Sequence, residues 1–160
     1  MKNIMLVLMV LAFAAAFNQA DAANIDFSKA ITIGNGPKQV IEFTDPDCPF
    51  CRKASKYFDG RTDVTRHVFF YPLPSHPTAK DKVRYILSQQ DKTRAYHIVM
   101  SGALDRQQHF ETTAGGIRLQ EEQLDIAREH KVSATPTFLI NGRIIEGFDL
   151  KKIEDALGPK

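Results

Sequence analysis

The chain has 160 residues, 43% hydrophobic and 25% charged, with 21 Lys and Arg against 19 Asp and Glu for a net charge of +2. That composition belongs to an ordinary globular protein and excludes collagen-like, coiled-coil and strongly disordered classes. No block of five or more basic residues occurs, which argues against a nucleic-acid binder working through a broad cationic surface.

Residues 1–22 read as a secretory signal. Lys2 supplies the basic start, Ile4 to Phe17 is an uninterrupted apolar run, and Ala20-Asp21-Ala22 places small residues at the cleavage positions. The run is shorter than the ~20 residues of a spanning helix, so a cleaved signal is expected rather than an anchor. Residues 23–160 are then one domain, large enough to fold without disulfide staples.

Ala30 to Ile33 and Gln39 to Thr44 read as strands, separated by Gly34-Asn35-Gly36-Pro37. Asp45-Pro46-Asp47 breaks the second, and Cys48 to Phe58 follows as a helix with Cys51, Ala54 and Phe58 on one face and Gly60 as its stop. His67 to Tyr71 is a third strand, ended by Pro72 and Pro74. Two helical stripes come next, one of Ala79, Val83, Ile86 and Leu87 and one of Ala95, Ile98 and Val99. Ala103 to Gly116 reads as a polar loop. Glu121 to Lys131 reads as a helix with acids in its first turn and bases in its last. Thr137 to Ile140 and Arg143 to Ile145 flank Asn141-Gly142, the strongest short hairpin signal. Asp149 caps a final helix carrying Leu150, Ile153 and Leu157, with Gly158-Pro159 past its end.

The chemistry centres on the only two cysteines, Cys48 and Cys51 in Cys48-Pro49-Phe50-Cys51. A disulfide between them closes a tiny loop, and loop-closure stabilisation grows with loop length, so a structural staple is a poor explanation. Zinc is disfavoured because a second Cys pair is missing, and a c-type haem site needs His where Arg52 stands. At the strand-to-helix junction Cys48 meets unpaired N–H groups and the positive end of the helix dipole, which favour a thiolate. Cys51, one turn on, faces the core. The pair suits thiol–disulfide exchange, with Cys48 attacking and Cys51 resolving the mixed disulfide.

With Thr135-Pro136 opening the hairpin, the chain resembles the thioredoxin superfamily and, more narrowly, the catalytic domain of the periplasmic DsbC/DsbG disulfide isomerases. The residues that carry the resemblance are Phe43-Thr44-Asp45-Pro46-Asp47-Cys48-Pro49-Phe50-Cys51-Arg52-Lys53, then Phe69-Phe70-Tyr71-Pro72-Leu73 with His76-Pro77, and Ser133-Ala134-Thr135-Pro136. It implies an α/β thioredoxin-like fold with a helical insertion between the third strand and the C-terminal hairpin. It also implies Cys48 as nucleophile, Cys51 as resolving thiol, and Pro136 as a cis proline against the reactive sulfur. Thr135 would bind substrate backbone as an added strand. Pro49 and exposed Phe50 would offer contact to substrates. Implied too are periplasmic location, cysteine-containing protein substrates and a DsbD-like membrane reductant. No metal and no dissociable cofactor are expected, because the Cys pair itself carries the electrons.

Two departures from that family stand out. No dimerisation domain precedes the first strand, so a monomer acting as a reductase or isomerase-like oxidoreductase is expected. The family's extra structural disulfide has no cysteines to form it. Glu42, six residues before Cys48, matches a buried Asp of thioredoxin and a Glu of DsbA, and would relay the Cys51 proton. An ordinary Glu on a half-exposed strand is the alternative, and the local alternation does not settle its face. Asp45 and Asp47 oppose a thiolate at Cys48 while Arg52 and Lys53 favour it, which suggests a middle or reducing poise. A DsbA-like oxidase and a thiol metal carrier for copper or zinc are the competing readings. The helical Lys and Arg read as solvated faces, and His67, His97, His109 and His130 as solvated or capping residues.

Overall fold

The computed structural model describes residues 25–158; the signal-sequence reading of residues 1–22, the proposed first residue Ala23 and the terminal Pro159 lie outside them. Five strands form one mixed sheet: β1 (Ile31–Ile33), β2 (Lys38–Thr44), β3 (Val64–Phe70), β4 (Thr137–Ile140) and β5 (Arg143–Glu146). Their spatial order is β1-β3-β2-β4-β5. Only β2 and β3 run parallel, and they are joined through α1 (Pro49–Asp59), as a parallel pair requires a crossover. The other pairs are antiparallel. Three helices, α2 (Ala79–Ser88), α3 (Lys92–Met100) and α4 (Ala114–Glu129), separate β3 from β4, and α5 (Leu150–Leu157) closes the chain. This is the thioredoxin-like α/β arrangement, with α2 and α3 as the expected helical insertion.

Strand alternation sorts the core into layers. Val40, Phe138, Ile140 and Ile145 pack with Ala54 and Phe58 of α1 and Ile153, Ala156 and Leu157 of α5. Ile41, Phe43 and Phe69 point the other way, onto Ala127 and Val132 at the end of α4. A third cluster joins Ile31, Val68 and Phe70 to the insertion through Val83, Ile86, Leu87, Tyr96 and Val99, and it includes both cysteines. The insertion therefore forms one wall of the cysteine site.

Two boundaries differ markedly from the sequence reading. β3 starts at Val64 rather than His67, because residues 64–66 pair in parallel with Lys38, Gln39 and Val40. The strand was masked by Arg66, a charged residue at a buried position. α4 starts at Ala114, so Gly115 and Gly116 are helical and not loop, and its first turn holds no acid. Thr113 caps it by accepting from the Gly116 N–H at 3.0 Å. Gly116 is there for close approach: a Cβ on it would lie 2.1 Å from Ser88 Oγ of α2. The hairpin and the last helix stand as expected. Asn141 and Gly142 both have positive φ, as a tight two-residue turn needs, and Asp149 accepts from the Lys152 N–H.

Candidate active site

The ladder of β2, the central strand, delivers the chain to Thr44, and residues 45–47 lead it to α1. Cys48 is the residue before the helix, with extended backbone (φ −77°, ψ 121°), and Pro49 at the first helical position suits its fixed φ to the turn. No side chain caps this helix start, so its N–H groups remain available to the sulfur. The Cys48 thiol is held well below the usual thiol range, at about 6. The hydrogen bond from the Cys51 thiol is the main cause. The backbone N–H groups of Cys51 and Phe50 and the Thr135 hydroxyl add to it, against the opposing effect of burial.

Cys51 behaves oppositely. It is wholly buried, Asp45 N–H donates to its sulfur at 3.4 Å, and burial followed by the pairing with Cys48 pushes its thiol far up. One helical turn thus separates a sulfur whose thiolate is favoured from one whose thiol is favoured. Both cysteines are free. Cys48 is more enclosed than a nucleophile pictured at a helix tip, with 5% of its surface exposed. Its thiol donates to the Thr135 carbonyl at 3.4 Å, and the Thr135-Pro136 peptide bond is cis, as the resemblance implied. Pro136 is buried, Pro49 is exposed, and Phe50 is 56% exposed with Lys53 Nζ 5.3 Å from its ring centroid.

Glu42 lies on the buried face. It is fully enclosed, and its Oε2 accepts from Arg66 Nη1 at 3.2 Å, while Arg66 also donates to Tyr96 Oη at 3.1 Å and Asp59 Oδ1 at 3.0 Å. Burial pushes the Glu42 carboxyl up and Arg66 pulls it down, with burial the larger effect. Among the described residues its Oε1 and the Thr44 hydroxyl are buried without a hydrogen-bond partner. Thr44, two residues along the same strand face, is the group that acts electrostatically on both Glu42 and Cys51.

The acids flanking Cys48 are not the free charges that the sequence suggested: each is engaged by partners from elsewhere in the fold. The Asp45 carboxylate is buried and accepts from Asp47 N–H at 2.7 Å, Leu73 N–H at 2.7 Å and His76 Nδ1 at 2.8 Å. Asp47 is met by Lys82 Nζ at 2.5 Å, Arg52 Nη2 at 3.5 Å and the Thr78 hydroxyl. Lys82 also reaches Asp105 Oδ1 at 2.7 Å, and Arg52 grips Asp105 with two bonds of 2.6 and 2.7 Å. The reading of the helical Lys and Arg as solvated fails at Lys82, whose side chain is 3% exposed.

Arg66, Lys82 and Asp105 are thus site-supporting residues that sequence reasoning missed, while Thr44 and His76 entered it only as parts of the segments that carry the resemblance. Two left a signal. Lys82 falls on the stripe of Ala79, Val83, Ile86 and Leu87, and Arg66 alternates with Val64, Val68 and Phe70. A charge at a core position requires a partner. Asp105 left none, because it sits in a turn with no periodic context.

Comparison with known proteins agrees with this geometry. Over 76 residues the chain is 26% identical to the "Probable thiol:disulfide interchange protein DsbC" of Bordetella parapertussis, covering 48% of this chain and 27% of that protein. The chain therefore spans about a quarter of the length of the curated relatives it matches. The crystal structure of a disulfide interchange protein from Neisseria gonorrhoeae superposes with a TM-score of 0.69 at 30% identity, covering 81% of this chain and 95% of that one. A periplasmic thioredoxin-like protein from Salmonella enterica serovar Typhimurium shares the fold, with a TM-score of 0.58 at 19% identity over 88% of this chain and 93% of its own. The family model described as "Thioredoxin-like domain" matches residues 27–153, every strand and helix from β1 into α5 together with both cysteines and Pro136, and the chain belongs to that family.

Proposed function

We propose that the protein is a periplasmic thiol–disulfide oxidoreductase that reduces or isomerises disulfides in protein substrates. The observation that carries the reading is the split between the two sulfurs, Cys48 lowered to about 6 and Cys51 pushed far up one turn away. At neutral pH the Cys48 thiolate attacks a substrate disulfide, forms a mixed disulfide and displaces one substrate thiolate. Cys51 then loses its proton and attacks Cys48 Sγ. That step releases the second substrate thiol and leaves a Cys48–Cys51 disulfide, with two electrons passed to the substrate. If the mixed disulfide is instead attacked by another substrate thiol, the result is isomerisation. Thr44 and Glu42 offer the buried route for the Cys51 proton, and Thr135-Pro136, with Pro49 and Phe50, form the edge against which substrate backbone lies.

The Cys pair is the redox carrier, so the reaction uses no dissociable cofactor, and a DsbD-like membrane protein is the proposed source of electrons for a monomeric enzyme. Cys51→Ala tests the reading: expressed in the native host, it should accumulate mixed disulfides on Cys48 that thiol reductants release. An empty trap counts against exchange with proteins. A DsbA-like oxidase is the second reading, and the lowered Cys48 thiol favours it, because a stabilised thiolate makes the disulfide form more oxidising. Insulin reduction against oxidative refolding of a reduced substrate separates the two.

A further inference from the structure

Two carboxylates and two cations form a closed quartet beside the nucleophile. Asp47 precedes Cys48 in the chain, and its carboxylate faces Lys82 and Thr78 from α2 and Arg52 from α1. Asp105, in the turn after α3, shares both cations. The charges sum to zero. Lys82 is the odd member, because its side chain is 3% exposed and its place on the α2 stripe is one where Leu or Met would pack. A buried ion pair is weak grounds for stability, since well-packed apolar residues commonly replace one without loss. What an apolar residue cannot supply here is a positive charge opposite Asp47.

We propose that Lys82 is a positioning residue for the exchange reaction: from the helical insertion it cancels the charge of Asp47 beside Cys48, and so sets how readily Cys48 holds a thiolate and how oxidising the Cys48–Cys51 pair is. The proposal rests on Cys48 being the nucleophile. The hydrogen bonds that favour a thiolate at Cys48 come from the Cys51 thiol, the N–H groups of Phe50 and Cys51, and Thr135. Asp45, the other acid in the turn, is engaged by His76 and two backbone N–H groups, which leaves Asp47 as the charge that Lys82 governs.

The test reads two quantities in reduced, purified protein: the pH midpoint of iodoacetamide alkylation at Cys48, and the equilibrium with glutathione. Lys82→Met leaves one excess negative charge near the sulfur. It should raise the midpoint by about half a pH unit and shift the glutathione equilibrium roughly 2–3-fold toward the protein disulfide. Asp105→Asn leaves one excess positive charge and should move both readouts the opposite way. The change is smaller, because Asp105 is 42% exposed and water screens it. Asp47→Asn combined with Lys82→Met should restore the wild-type midpoint. A merely structural role would move Lys82→Met and Asp105→Asn in the same direction, or leave the double variant as perturbed as Lys82→Met, and either result overturns the proposal. If Lys82→Met does not fold, the sign of the Asp105→Asn shift decides alone. Wild-type protein that neither alkylates below the ordinary thiol range nor exchanges disulfides sinks the functional reading itself. Normal wild-type behaviour with unmoved variants sinks only the role of Lys82.

Discussion

Arg66→Met isolates the charge that Glu42 carries in the core. Glu42 is fully buried, Arg66 is its cationic partner at 3.2 Å, and the Thr44 hydroxyl beside it carries no charge. Without Arg66 the carboxylate has nothing to offset its burial, so it protonates in the folded protein while remaining an ordinary acid in the unfolded chain. A carboxyl that titrates higher when folded binds more protons in the folded state, so stability falls as pH rises between the unfolded and folded pKa values. The slope is about 1.4 kcal/mol per pH unit across that window. The proper reference is Glu42→Gln combined with Arg66→Met. It shares every other loss, including the bonds to Tyr96 and Asp59 and the packing of the guanidinium over the Phe58 and Tyr96 rings. In urea titrations followed by far-UV circular dichroism, the single variant should fall behind the double by little at pH 5 and increasingly toward pH 8, the gap in midpoint widening by about 0.7 M per pH unit for a slope of about 2 kcal/mol per M. Parallel midpoints for the two variants at both pH values would refute the reasoning, because Glu42 would then titrate alike in the folded and the unfolded chain.

Two adjacent glycines give opposite expectations by thermal melting. Gly116→Ala should destabilise by about 1–3 kcal/mol, because its Cβ meets Ser88 Oγ at 2.1 Å and Ser88 N at 2.8 Å. Gly115→Ala, whose nearest neighbour is 3.8 Å away, should stabilise by roughly 0.5–1 kcal/mol; a loss at both positions would show that α4 does not pack on α2 in this register. Glu42→Gln should lengthen the lifetime of a mixed disulfide about 10-fold or more in quenched-flow mass spectrometry, with Cys48 alkylation unchanged. An unaltered lifetime would assign Glu42 a role in the core alone.

The order and type of most elements, the hairpin turn at Asn141-Gly142, the cysteine pair at a helix start and the proline across from it were legible in the residues alone. These are local facts: a strand period, a tight-turn dipeptide and a two-residue spacing are written within a few positions. Even the cis bond at Pro136 came from a motif carried in four consecutive residues. The state of the charges came from the fold. Glu42 lay in an apolar strand whose alternation was ambiguous, and its burial became definite only when β3 supplied Arg66. Asp47 looked like a free acid beside the nucleophile until α2 and the turn after α3 brought Lys82 and Asp105 to it from 35 and 58 positions along the chain. Whether a carboxylate repels a thiolate depends on what stands within a few ångströms of it, and that distance is set by folding rather than by neighbours in the chain.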